Sequence, residues 1–244
     1  MNLNTTRIRA VARKELRDHR RNRFIVSTMA IMPVVFMVAP MITVFGLPAS
    51  APATTINPLI GVSLLYLMLI PTLVPAVVSS HAVVGEREQG TLEPVLTTPV
   101  RREEFLLGKA LAALVPTLVI SYTMFGIFLA CVGLFAHPNV ASDIFQAPRI
   151  LAQLLFTPLL AGWSIWAGIA ISTRVGDVRV AQQLGTLASL PPLAVTSLMG
   201  FDVIRPTLGL AVGLGAVLLL VDVSAWRLVS AMFDRERLVT GTKT

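Results

Sequence analysis

Long apolar runs separated by short polar punctuation make up most of the chain. Residues 24–47 form 24 consecutive positions without a charged side chain. A helix needs about 20 apolar residues to cross a hydrocarbon core, so this run predicts a first spanning helix. Similar runs at about 59–84, 110–135, 150–172, 182–201 and 206–229 predict five more. The expected fold is therefore all-α, a polytopic membrane protein of six transmembrane helices forming one domain over residues 1–244. Between them, 48–58 reads as a short outer loop, 136–149 as the longest outer loop and 173–181 as a short inner loop.

Two stretches break the apolar pattern. Residues 1–23 hold eight basic side chains, with Ile8, Val11, Ala12, Leu16 and His19 recurring at helical spacing. An apolar stripe among cations predicts an amphipathic helix lying in the cytoplasmic headgroup layer. The second stretch, Gly85–Lys109, carries nine of the 33 formally charged side chains and is flanked by apolar runs. It is the segment that a soluble partner would grip.

Features inside the spans qualify the picture. Span 2 contains Pro71 and Pro75, and His81 near its inner end reads as an interface side chain. Span 5 is expected to break at Pro191–Pro192, and a discontinuous helix can mark a transport pathway. Trp163 and Trp166 fall near the middle of span 4, where aromatic side chains either pack helices or line a substrate path. Ser164, Gly168 and Ser172 in span 4, and Gly209 and Gly213 in span 6, form small-residue stripes suited to close helix contact. Asp222 lies inside span 6, where carboxylates are costly and usually face the bundle or water. Arg227, five residues on, gives it no clean helical pairing. Asp222 therefore reads either as a structurally paired group or as a functional one.

Composition agrees with the pattern. The chain of 244 residues is 55% hydrophobic and 14% charged, with mean hydropathy +0.76. A soluble domain has about a quarter of its residues charged. The pI near 10.7 does not imply nucleic acid, because the cations sit at membrane ends instead of forming a basic face. With both termini inside, cytoplasmic segments hold 18 basic residues and outer segments only Arg149 and Arg205. This positive-inside bias favours an N-in, C-in arrangement. Ala49-Ser50-Ala51 resembles a signal cleavage site, but the preceding run is too long for a signal core of about 7–15 residues, so an uncleaved anchor is expected. Cys131, the single cysteine, reads as a small buried apolar group.

Catalytic patterns are missing. No phosphate loop is present: Gly108-Lys109 is followed by Ala110, and Glu103 stands where the first glycine should be. No HExxH, paired CxxC or Gly-x-Ser-x-Gly element occurs, and no metal cage is suggested. The chain is expected to have no catalytic residues, metal or cofactor of its own, and to draw energy from elsewhere.

Local chemistry divides the charged hairpin. Gly90 is a natural stop for a helix continuing from span 2. Thr91 then caps a short helix, with Pro94 where an N–H is not needed. Leu92, Val95 and Leu96 make its apolar face. Thr98–Pro99 is expected to restart a helix, with Pro99 in its first position, running directly into span 3.

Glu86-Arg87-Glu88-Gln89-Gly90-Thr91-Leu92-Glu93, Thr98-Pro99-Val100-Arg101-Arg102 and Leu107-Gly108-Lys109 together resemble the pattern of ABC-2 type transporter permeases. Lys14-Glu15-Leu16-Arg17 with Arg20 and Arg23 is similar to that family's opening. The resemblance implies a permease that pairs with a second copy or paralogue and docks two separate ATPase subunits, which bind ATP and Mg. It implies that the 85–109 hairpin is the coupling element: Glu86, Arg87 and Glu88 for polar contact, Leu92, Val95 and Leu96 as apolar anchor, and Gly90, Thr91, Pro99, Arg101, Gly108 and Lys109 shaping it. Trp163, Trp166, Pro191, Pro192 and Asp222 are the candidate pathway residues. Cargo is expected to be hydrophobic or amphipathic and exported across the cytoplasmic membrane, with sodium or another ion as a rival. A non-transporting anchor or immunity protein is the alternative outside transport. Many relatives carry a sizeable outer element between spans 5 and 6, where this chain has only about Gly200–Arg205.

Overall fold

The computed structural model describes residues 3–48, 52–90, 100–200 and 208–232. The described part is all helical: α1 (Thr5–Arg21), α2 (Arg23–Phe45), α3 (Ala53–Ser80), α4 (Val84–Glu88), α5 (Arg102–Phe135), α6 (Pro138–Ile144), α7 (Ala147–Arg174), α8 (Val178–Gly200) and α9 (Leu208–Met232). The residues expected to form the short transverse helix, Thr91 to Pro99, lie outside the described residues.

Among the described residues, five helices are long and apolar enough to cross a membrane: α2, α3 continued through α4, α5, α7 and α9. The expected six become five by this measure. The fifth run does form a helix, α8, but Gln182, Gln183, Thr186, Ser189, Thr196 and Ser197 dilute its apolar character. Outward-facing Val34, Val35, Val38 and Ile42 on α2 and Leu219 and Leu220 on α9 are exposed. Contiguous apolar surface of this kind suits a lipid environment.

Asn22 makes the first corner. Its N–H reaches the carbonyls of Asp18 and His19 at the end of α1. Its Oδ1 accepts from Phe24 and Ile25 N–H at the start of α2. One short polar side chain thus ends one helix and caps the next, and the basic arm turns directly into a span.

Prolines do not interrupt the helices. The expected break at Pro191–Pro192 is absent, and α8 runs through both. Pro192 cannot donate to the Ala188 carbonyl, four residues earlier. Trp163 on α7 donates its indole N–H to that carbonyl instead, at 2.8 Å. Pro158 likewise deprives Leu154, and Tyr122 on α5 donates its hydroxyl to Leu154 O at 3.0 Å. Membrane bundles tolerate proline when neighbouring helices satisfy the freed groups, and here two aromatic donors do so.

Small residues bring α3, α7 and α8 together. A Cβ on Gly168 would overlap the Ser79 hydroxyl, and one on Gly185 would fall 2.5 Å from Ser80 Oγ. Ser80 Oγ also donates to Ala181 O across the interface at 3.1 Å. The stripe Ser164–Gly168–Ser172 is buried as expected. The other stripe differs: Gly209 and Gly213 are exposed and meet nothing within 4 Å.

The loop expected at 136–149 contains α6, whose Val140 and Ile144 pack with Val44, Ile60 and Phe128 in an apolar cluster at one end of the bundle. Arg149 closes this end by donating to Asn57 Oδ1 at 2.9 Å. The opposite end gathers α1, α4 and the starts of α5 and α8, and carries the charge.

Candidate functional site

At the charged end, α3 yields to α4 after a tight turn at 81–83. Ser172, near the end of α7, accepts hydrogen bonds from Val83 and Val84 N–H at 2.9 and 3.0 Å. These are orphan donors at the helix start, so a side chain from another helix caps α4. α4 ends at Glu88, and Gly90 follows with φ of +67°. Nothing lies within 4 Å of a Cβ built there. Glycine is required at this stop by conformation, not by space.

The three charged residues of α4 point in different directions. Glu86 is buried, with its Oε1 2.7 Å from Lys14 Nζ and 3.0 Å from Lys109 Nζ. Arg87, half-buried, donates to Val175 O at 3.3 Å. Glu88 is exposed and accepts from Val178 N–H at 3.1 Å, at the first turn of α8. One short helix therefore ties the arm, the α5 start and the α7–α8 connection together.

Glu15 completes the inward-facing cluster. Its Oε1 lies 2.9 Å from Lys109 Nζ and 3.0 Å from Lys14 Nζ. Burial alone would push the Glu15 carboxyl up, but the Lys109 and Lys14 charges outweigh this and hold it below its usual range. Lys14 is opposed by burial in the same way, and its bonds to Glu15 and Glu86 hold it above the ordinary lysine range. Lys109, 4% exposed, also lies over the Phe105 ring, 4.8 Å from its centroid. Two cations and two carboxylates in alternation can pay for their own desolvation only while all four are in place.

A second bolt lies one turn nearer the start of α5. Glu104, 1% exposed, accepts from Asn4 N–H through Oε1 at 2.9 Å and from Arg101 N–H through Oε2 at 3.0 Å. Arg7 approaches the same carboxylate at 3.6 Å. Glu104 thus caps α5 at Arg101. Pro99 lies outside the described residues, but the expected unbroken run from it into span 3 is corrected, because Val100 and Arg101 are not helical and α5 begins at Arg102. A carboxylate three residues inside the helix offers the N-cap N–H a partner, and this fixes the start beyond the proline.

Gly108 lets the arm close on α5. A Cβ there would come within 2.6 Å of Val11 Cβ and Cγ1. Part of the apolar stripe expected to face the headgroup layer, Ile8 and Val11, is used on α5 instead. Between the arm and the hairpin lies a cavity of about 590 Å³, lined by Lys14, Glu15, His19, His81, Glu86 and Lys109 among others. Burial pushes the His19 imidazole down from its ordinary value. His81 is more than an interface side chain: its Nδ1 lies 3.0 Å from Val77 O and its Nε2 3.2 Å from the Gln182 amide.

Of the sequence-predicted site residues, Glu86, Gly108 and Lys109 are thus drawn inward to the arm, while Glu88, Gly90 and Arg101 remain exposed. Thr91, Leu92, Val95, Leu96 and Pro99 lie outside the described residues. The candidate pathway residues are only partly assembled. Trp163 and Trp166 line an apolar groove of about 570 Å³ between α7 and α9, and Pro191 and Pro192 are on α8. Asp222 is set against Gly162 of α7, where a Cβ would lie 2.7 Å from its Oδ2.

Sequence reading missed the inward roles of Lys14, Glu15 and Glu104. A signal existed for Glu15. It occupies the same helical face as Ile8, Val11 and His19, and an acid on an apolar face needs a cation.

No curated protein sequence matches the chain. The protein-family model described as ABC-2 family transporter protein matches residues 9–200, which include most of the arm, the hairpin and α2 to α8. A match over most of the length, on an all-helical multi-span chain, shows that this protein belongs to the ABC-2 transporter family.

Proposed function

We propose that the chain is the membrane-spanning subunit of an exporter in the cytoplasmic membrane, driven by ATP hydrolysed in separate ATPase subunits. Two permease chains and two ATPases would form the working unit. The observation that carries this reading is the hub at α4. A push on the hairpin is transmitted through Glu86 to the arm and α5, through Ser172 to α7, and through Glu88 to α8. Four elements therefore move with one short cytoplasmic segment, as a coupling lever requires. ATPase closure would tilt the spans on either side of the hairpin and change access to the cargo path.

The inward orientation of Glu86 and Lys109 divides the labour in the hairpin. These two hold the lever rigid, whereas Glu88, Gln89 and Arg101 are exposed where a partner can reach. Leu92, Val95 and Leu96 supply the apolar anchor in this reading. Its test is the pair Leu92→Asp and Leu96→Asp. The expected outcome is loss of ATPase co-purification and of cargo-stimulated hydrolysis, with the permease still folded in detergent. Survival of both activities would overturn the docking assignment.

A further inference from the structure

The clamp leaves one row of the arm's cations without a task. Arg9, Arg13, Arg17 and Arg20 recur at helical spacing, so they share one stripe of α1. All four are exposed, while Ile8 and Glu15, on the side turned to α5, are buried. Among the described residues none of the four forms an ion pair, the partners of the buried acids being Arg7, Lys14 and Lys109. The acids of α1 are engaged elsewhere: Glu15 in the clamp and Asp18 on Lys14. The stripe is therefore purely cationic.

Its depth follows from two helices. α2 has 23 residues, or about 35 Å at about 1.5 Å per residue. A hydrocarbon core is about 30 Å thick, so with α2 as a span its first residue, Arg23, stands at the boundary. Asn22 alone separates Arg23 from the arm, and Phe24 and Val26, just inside, are exposed apolar side chains. α1 then crosses α5 instead of running along it. Asn4 meets Glu104, Val11 meets Gly108 and Glu15 meets Lys109. About 17 Å of arm thus covers only about 8 Å of α5. With α5 also spanning, the arm keeps to a narrow range of depth beside the boundary.

We propose that this stripe is a docking surface for anionic phospholipid headgroups of the leaflet at the charged end, held by charge and not by insertion. Ile8 and Val11, the apolar side of the arm, are already packed on α5. Guanidinium groups suit phosphate, which they can hold through two parallel hydrogen bonds, and juxtamembrane clusters of four or more cations attract anionic lipid. Lipid on one side of α1 and the clamp on the other hold the same helix, so anionic lipid steadies the hub. An acidic protein face would suit the charge as well, but the boundary shared with Phe24 and Val26 favours lipid. The inference rests on α2 and α5 as spans and not on the ATPase docking assignment.

The test uses the purified full-length permease in nanodiscs, without any ATPase. A spin label is attached through Ala10→Cys, an exposed position beside the stripe, in a Cys131→Ser background. In discs of phosphatidylcholine the label should be mobile. With about a third of the lipid replaced by phosphatidylglycerol it should be immobilised and shielded from a water-soluble nickel relaxant, and salt at about 1 M should reverse this. Arg9→Gln, Arg13→Gln, Arg17→Gln and Arg20→Gln together leave the clamp intact and should shrink the response at least about fivefold. A label equally mobile in both lipid mixtures would overturn the proposal, as would a full response in the fourfold variant. Immobilisation that appears only when the ATPase is added would assign the stripe to that partner and overturn it too. The lipid comparison keeps all four arginines, so a folding failure of the fourfold variant leaves it decisive.

Discussion

At the scale of single residues, much of the structure turns on groups that supply what a neighbour lacks. Pro192 removes a donor and Trp163 supplies one to Ala188 O. Trp163→Phe keeps the ring and removes the N–H. It should cost about 0.6 kcal/mol and at most about 1.7, the range for hydrogen bonds between membrane helices. In a Pro192→Ala background α8 regains its own N–H, and the same substitution should cost nearly nothing. Thermal unfolding of the four proteins in detergent gives this double-mutant cycle. Equal costs in both backgrounds would detach the tryptophan from the proline. Gly108→Ala tests close approach instead. The new Cβ has to push Val11 away, at about 1–3 kcal/mol for overpacking, read in the same melting experiment. The sequence makes each proline, tryptophan and glycine visible, but not their pairings, because partners 25 residues apart on α7 and α8, or 97 apart on α1 and α5, are joined only by helix packing.

At the scale of elements, the arm is the main revision. Its eight cations and helical period are legible in the sequence, and the helix forms as expected. What period and composition cannot reveal is which face meets protein. Glu15 decides this, since burying it requires Lys109, and α1 is therefore bolted to α5. The bolt has a pH dependence of definite sign. His19 and Glu15 are both held below their ordinary values, near 6.5 and 4.5, when the arm is docked. The detached arm binds more protons, so docking strengthens as pH rises and weakens as pH falls. Loosening should begin as pH drops below about 6.5 through His19 and steepen below about 4.5 through Glu15. Spin labels at exposed Arg9 and Arg102 should report a lengthening distance over this range. His19→Gln should remove the upper phase alone. A distance that stays fixed down to pH 4 would contradict the clamp. The prolines of α8 were misread as a break for a related reason: the rule for a helix in water ignores a donor offered by the next helix.

At the scale of the whole molecule, the apolar runs foretold the helices to within a few residues at most ends, because length and hydropathy are local properties that a bilayer imposes directly. By length and hydropathy five of the six expected runs qualify as candidate spans among the described residues, and α8 falls short because its Gln, Ser and Thr side chains dilute its apolar character. The concentration of nine charges between two apolar runs was equally plain. The hairpin's internal division was not. The sequence places Glu86, Arg87 and Glu88 side by side, and helical geometry sends them to three different neighbours. The whole molecule then reads as long helices joined at one end by a charged hub, with the opposite end closed by α6 and Arg149.

The central claim is that a separate ATPase grips this hub from the cytoplasm. The direct measurement is photo-crosslinking in intact membranes from a benzophenone side chain placed at Gln89, which is exposed, and at Glu86, which is buried. Position 89 should capture a partner chain that carries a nucleotide-binding phosphate loop, and position 86 should capture only the permease itself. Capture of nothing but lipid or permease from position 89, while the two proteins still co-purify, would contradict the account.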